Sequence, residues 1–273
     1  VKKWILFVAL AVTMSILAAC GGDEASSSAE DKKEVTIGAT SGPYSDMVTK
    51  AIKPGLEEKG YTVEVKEFSD YIQPNNALAQ GDLDANLFQH KIYMETFAKQ
   101  HNMDLSEVIV VPTAPMGIYS QKFDSIEDIK EGSAIAIPND PTNAARAFQI
   151  LEDAKLITLK PDTDPLTVSE KDIAENVKNL QFKPIEAAQL PRAVDSVDLS
   201  AVPGNYALAA DMDLLDALQL EDMPDQYRNR VVVNTKDVDS QLAKDIKAVV
   251  EADEFEKIID EEFKGFGKPE WME

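Results

Sequence analysis

A chain of 273 residues with a hydrophobic fraction of 44% is long enough for a large core in one or two domains. Its 49 acidic residues against 27 basic ones give a formal charge of −22, which argues against nucleic acid as a partner and against a body lying flat on an anionic membrane. The single cysteine excludes an intramolecular disulfide framework and any cysteine-rich metal site.

At the start, Lys2 and Lys3 precede an uncharged, mostly apolar run from Trp4 to Ala19. This is the pattern of a secretory signal peptide, too short for a comfortable transmembrane helix. It ends in Leu17-Ala18-Ala19-Cys20, which resembles the lipobox of bacterial lipoproteins. The resemblance implies cleavage before Cys20, a diacylglyceryl group on its thiol, palmitate or a similar acyl chain on the new N-terminus, and a protein lipid-anchored on the extracytoplasmic face of the cell membrane. Two or more acyl chains anchor stably, at about 0.8 kcal/mol per buried methylene. Residues 1–19 are thus the expected leader, and 20–33 the lipidated cysteine with a small, polar, flexible spacer.

From Val35 the pattern alternates between short β runs and longer amphipathic segments. Val35–Ala39 reads as a strand, Asp46–Glu58 as a helix closed by Gly60, and Tyr61–Phe68 as a second strand. Asn75–Gln80 reads as a short helix, Gly81-Asp82 as a turn and Ala85–Phe88 as a strand. Further strands are expected at Val108–Val111, Met116–Ser120, Ala134–Pro138, Phe182–Ile185, Leu199–Val202 and Arg230–Asn234, most of them separated by helices. Two helices, Ser240–Glu251 and Glu254–Phe263, close the chain. Such alternation predicts α/β layers with largely parallel sheets, and so many strands suit two modest sheets better than one oversized one.

Several strings resemble the NlpA/MetQ family of methionine-binding lipoproteins: Gly81-Asp82-Leu83-Asp84-Ala85-Asn86-Leu87-Phe88-Gln89-His90, Pro138-Asn139-Asp140-Pro141-Thr142-Asn143, Gln189-Leu190-Pro191-Arg192 and Asn205-Tyr206-Ala207. The match implies a two-lobed type II periplasmic-binding-protein fold, with residues 34–119 plus 229–273 as one lobe, 120–228 as the other, and the ligand cleft between them. It also implies a substrate-binding lipoprotein of an ABC importer that takes L-methionine and hands it to a permease and its ATPase. One departure stands out. Many relatives carry Ile-Asn-Thr where this chain has Val202-Pro203-Gly204, so the usual ligand-binding asparagine is replaced by Pro203, with Asn205 two residues on.

A free amino acid in a closed cleft needs a cation or helix N-terminus for its carboxylate, oxygen acceptors for its ammonium and a shaped wall for its side chain. Asp140 or Thr142 can cap the helix that runs to about Ala154, and Arg146 falls opposite its apolar face of Ala144, Ala147, Phe148 and Leu151. A solvated surface arginine would satisfy the same spacing; the resemblance around Asn143 selects Arg146 as the carboxylate anchor, with Asn143 assisting. Tyr71, Phe88, His90 and Tyr93, with Phe68 as a further candidate, would supply an aromatic wall against a thioether, and His90 could donate a ring N–H to the ligand. Asn205 could accept from the ammonium. The sequence contains no nucleophile elbow, phosphate loop or metal-ligand spacing, so no catalytic residue, metal or cofactor is expected. The alternatives are a binding protein for another small amino acid or short peptide, and a structural surface protein without a specific cleft.

Overall fold

The computed structural model describes residues 33–272. Cys20, the expected leader and most of the spacer lie outside the described residues.

In chain order the strands are β1 (Glu34–Thr40), β2 (Thr62–Phe68), β3 (Ala85–His90), β4 (Leu105–Val110), β5 (Gly117–Tyr119), β6 (Ala134–Pro138), β7 (Ile157–Leu159), β8 (Ile173–Asn176), β9 (Gln181–Ile185), β10 (Leu199–Val202), β11 (Gln219–Leu220) and β12 (Asn229–Asn234). Among the described residues they make one five-stranded sheet in the order β2-β1-β3-β12-β4, another in the order β11-β5-β10-β6-β9, and the hairpin β7-β8. The expectation of largely parallel sheets is corrected here. β1 pairs in parallel with β2 and β3, and β6 with β9 and β10, but β12 and β5 run antiparallel to both of their neighbours. Both are strands on which the chain enters a sheet after crossing from the other one, without the helical crossover that imposes parallel pairing.

The helices are α1 (Pro43–Met47), α2 (Lys53–Glu58), α3 (Gln73–Gln80), α4 (Lys91–His101), α5 (Pro141–Asp153), α6 (Leu190–Ala193), α7 (Gly204–Ala209), α8 (Gln241–Val250) and α9 (Asp253–Glu262). The single helix expected at Asp46–Glu58 starts earlier and is broken by a wider π turn at Val48–Ile52, where Lys53 N–H reaches back to the carbonyl of Val48. Pro54, the next residue, has no N–H to give the ordinary i−4 bond, so the ladder slips by one residue before it. Buried faces of α1, α2, α8 and α9 pack on the first sheet through Met47, Leu56, Ile246 and Phe255, each essentially inaccessible to solvent. α5 packs Ala147, Phe148, Ile150 and Leu151 on the second sheet.

Two segments, 111–116 and 221–228, carry the chain between the sheets, and they are stitched together. Met116 N–H donates to the Glu221 carboxylate at 3.1 Å, and Glu221 N–H donates to the Met116 carbonyl at 2.9 Å. Nearby, α7 begins so close to the first crossover that a Cβ on Gly204 would lie 2.4 Å from the Pro115 carbonyl oxygen and 2.7 Å from Ala114 Cβ. Only glycine fits there. Gly204→Ala is therefore expected to destabilise the fold by about 1–3 kcal/mol, as overpacking does, in a denaturant melt. A melt unchanged from the native chain would show that the crossover yields freely.

Candidate ligand site

The N-terminus of α5 is built first. Asp140 accepts from Asn143 N–H at 2.9 Å and from the Asn143 side-chain amide, fixing the cap and the asparagine together. Asn143 Oδ1 in turn accepts from Arg146 Nη1 at 2.9 Å. Arg146 is 5% exposed, so the helix is buried on the side away from its core as well. Desolvation works against the guanidinium's charge, but the Glu221 carboxylate outweighs it and holds Arg146 above its ordinary range. Glu221 grips it side-on, Nε to Oε1 at 2.8 Å and Nη2 to Oε2 at 2.6 Å. The Tyr227 ring lies 5.5 Å from the guanidinium carbon. Of the five N–H groups of an arginine, three are used in these bonds, which leaves two for another acceptor.

Strand β3 faces this cluster from the other sheet. Its pairing with β12 shifts register between Arg230 and Val231, so Phe88 is skipped and the strand bulges. Beneath it, Asn75, Asn86 and Gln89 form a fully buried amide network, with reciprocal bonds between Asn75 and Gln89 at 2.8 and 2.7 Å. His90 ends the strand and caps α4: its Nδ1 accepts from Tyr93 N–H at 3.1 Å. That fixes the proton on Nε2, which faces Asn143 Oδ1 at 3.2 Å. The ring N–H expected to reach a ligand is thus directed to Asn143 instead. Burial, assisted by the nearby Arg146 charge, lowers the His90 pKa well below the histidine range.

Tyr71, Phe88 and Tyr93 form a continuous aromatic wall, with Tyr71 stacked on Phe88 at 5.9 Å and edge-on to Tyr93 at 5.9 Å. The Tyr71 hydroxyl donates to Asn205 Oδ1 at 2.7 Å, and the Tyr206 hydroxyl donates to the Ser69 carbonyl at 3.1 Å. These bonds join the two halves across the cleft. Asn205 Nδ2 is left buried without a protein acceptor.

All seven residues singled out in the sequence (Tyr71, Phe88, His90, Tyr93, Asn143, Arg146 and Asn205) line one enclosed cavity of about 20 Å³. Pro203 also lines it, and its carbonyl is taken by Tyr206 and Ala207 N–H at 2.9 and 3.0 Å. Phe68 does not reach it; its ring packs with Leu78, Leu83 and Met94 on the first sheet. Met116 is core, as expected. Tyr71 and Tyr93 further separate the cavity from an outer one of about 190 Å³, rimmed by Asp70, Asp140 and Glu186. The sequence reading missed Glu221, Tyr227 and Asn229, whose amide donates to the Phe88 carbonyl at 2.9 Å. Their only sequence signal is their place beside the return to the first sheet. Among the described residues, no group of three or more His, Cys, Asp or Glu side chains is arranged to hold a metal, and no helix is long and apolar enough to cross a membrane.

The model of the NlpA lipoprotein family matches residues 35–271. The chain belongs to this family. A nutrient binding protein from Burkholderia cenocepacia, solved bound to methionine, is 38% identical with a TM-score of 0.80, covering 85% of this chain and 97% of its own. The crystal structure of the methionine binding protein MetQ gives 32% identity and a TM-score of 0.82, covering 88% and 100%. A probable D-methionine-binding lipoprotein MetQ from Pasteurella multocida is 34% identical, covering 95% of this chain and 94% of its own. The NlpA-family fold is accordingly the two-lobed binding-protein type, with one sheet in each lobe and the cavity between them.

The neutral state of His90 sets a pH dependence. Below about pH 6.5 an unfolded histidine takes up a proton that folded His90 resists, so stability falls with decreasing pH by up to about 1.4 kcal/mol per unit. His90→Asn, which keeps a capping acceptor, should flatten the slope of unfolding free energy between roughly pH 6.5 and 5. An identical slope in the variant would show that His90 does not contribute.

Proposed function

We propose that this chain is the substrate-binding lipoprotein of an ABC importer, closing its two lobes on methionine and presenting it to a permease and its ATPase. The lobes would divide at the two crossovers, 111–116 and 221–228, with β5 assigned to the second lobe by its pairing with β10. The observation that carries the reading is Arg146: a buried cation on the cavity wall with two N–H groups uncommitted, beside a capped helix N-terminus. These donors suit a carboxylate. For the ammonium, Asn205 serves if its amide turns over, with Nδ2 then donating to the Tyr71 hydroxyl oxygen and Oδ1 facing the cavity. The aromatic wall of Tyr71, Phe88 and Tyr93 offers a thioether the sulfur–aromatic contact it favours, worth about 0.3–1.5 kcal/mol.

The cavity between the closed lobes is far below the roughly 300–1,000 Å³ of usual ligand sites, so entry requires hinge opening about the crossovers. The cross-lobe bonds His90–Asn143, Tyr71–Asn205 and Tyr206–Ser69 are the ones that opening breaks. At about 0.5–1.5 kcal/mol net each, they oppose opening by an amount ligand binding can match.

Titration of refolded, ligand-free protein with L-methionine, D-methionine, other free amino acids and dipeptides tests the reading; the relatives named for D-methionine put both enantiomers in the series. Methionine should bind best, and saturation by a different amino acid or a dipeptide would move the assignment to that ligand. Arg146→Lys retains the charge but loses the planar fork, and should weaken methionine by the about 1.5–3 kcal/mol of a charged hydrogen bond. Unchanged affinity would remove Arg146 from the site.

Anchoring through Cys20 belongs to the same proposal and is supported by the lipobox-like Leu17–Cys20 sequence and the family's lipoprotein character. Cys20→Ser should move the protein from the membrane fraction to the soluble one while leaving ligand affinity intact. A variant still sedimenting with membranes would refute the tether.

A further inference from the structure

Glu221 is absent from the residues that the sequence singled out, yet its carboxylate is the nearest charge to the proposed carboxylate anchor. Both side chains of the pair are buried, 6% exposed for Arg146 and 5% for Glu221. The Glu221 carboxylate is also fixed to the first crossover through Met116 N–H, so it cannot swing away when the cleft fills without breaking the stitch between the crossovers. The other groups around the cavity are uncharged: the amides of Gln89, Asn143, Asn205 and Asn229, the tyrosines, and His90 with its single proton on Nε2. Asp140 lies one hydrogen bond further out, at the positive end of α5.

The guanidinium is therefore neutralised before any ligand arrives. A carboxylate that took its two remaining N–H groups would bring the enclosed site to a net charge of minus one, which a water-poor cavity resists. A ligand that carries its own cation restores neutrality. We infer that Glu221 is a specificity-determining residue that sets the cleft for net-neutral zwitterions and against the corresponding anions, by cancelling the charge of Arg146. This rests on the amino-acid reading above.

The test compares methionine with its desamino analogue, the same chain without the ammonium, on the ligand-stripped full chain and on Glu221→Gln. The native protein should prefer methionine. In Glu221→Gln the preference should fall by about tenfold or more, because Arg146 then presents an uncompensated positive charge that favours the anion. If Glu221 only braces Arg146, the variant weakens both ligands equally, the ratio stays within twofold, and the inference is overturned. Calorimetry on the native protein in two buffers of different ionisation heat gives a reading that does not depend on the variant folding. Anion binding should carry the uptake of up to one proton by the complex and methionine binding none. Anion binding as tight as methionine's with no proton uptake also overturns the inference. If the native protein binds neither compound, the amino-acid reading has failed; if it binds methionine and only the ratio test fails, the fault lies with Glu221 alone.

Discussion

A buried guanidinium is costly unless it is paired and its hydrogens are satisfied, and the centre of this protein is organised around meeting that demand for Arg146. Glu221 supplies the charge and Asn143 a further acceptor. Each of these partners is held by something else. Glu221 is tied to Met116 on the opposite crossover, and Asn143 to the Asp140 cap and to His90. His90 is in turn held by the first turn of α4. A chain of hydrogen bonds thus runs from a helix N-terminus in one lobe, through the cavity wall, to a helix N-terminus in the other. Its middle link, His90 to Asn143, is the one that spans the two halves. In the proposed closing motion the geometry that positions Arg146 would be completed by closure, while the ion pair with Glu221, anchored at the second crossover, would persist without it.

The aromatic wall adds to this by excluding water. Tyr71 touches Phe88, Tyr93 and Tyr206 and bonds to Asn205, so one half-buried side chain closes the inner cavity, lines the outer one and bridges the lobes. Burial keeps the hydroxyls of Tyr71, Tyr93 and Tyr206 protonated, each pushed well above the ordinary phenol range. They therefore act as neutral donors, and no phenolate competes with a ligand carboxylate for Arg146. Electrostatic contacts behind this wall are stronger than they would be in water, which is why the pairing of Arg146 with Glu221 matters there.

Much of this was legible in the sequence, for a physical reason: strands β1, β6 and β10 and helices α5 and α8 have local periodicity, caps and turns that agree with their tertiary setting. The strings around Phe88 and Asn143 were readable through their resemblance to the family, since spacing alone leaves Arg146 indistinguishable from a solvated surface arginine. Glu221 and Tyr227 were not. One follows a two-residue strand and the other ends a single 3₁₀ turn, and in a chain with 49 acidic residues an isolated glutamate has no pattern to mark it. Their role arises only when the chain returns to the first sheet beside residues about a hundred positions earlier. The bulge at Phe88 and the π turn before Pro54 were hidden likewise, since both are departures from periodicity imposed by a partner strand or a missing N–H.

The overall acidity fits the same logic at longer range. The chain carries a net charge of −22, and the outer cavity beside the proposed ligand site is rimmed by Asp70, Asp140 and Glu186. A field of that sign disfavours the approach of free anions and leaves zwitterions almost unaffected, because their two charges are felt together beyond a few ångströms. Salt at about 0.1 M screens such a field beyond roughly 10 Å, so the rim acts only near the mouth. Past the tyrosines screening is weak, and the pairing of Arg146 with Glu221 takes over the same discrimination in a drier environment. A cleft with an isolated arginine behind an acidic mouth would repel at the entrance the anions that it attracted inside; balancing the arginine lets both stages favour the same class of ligand.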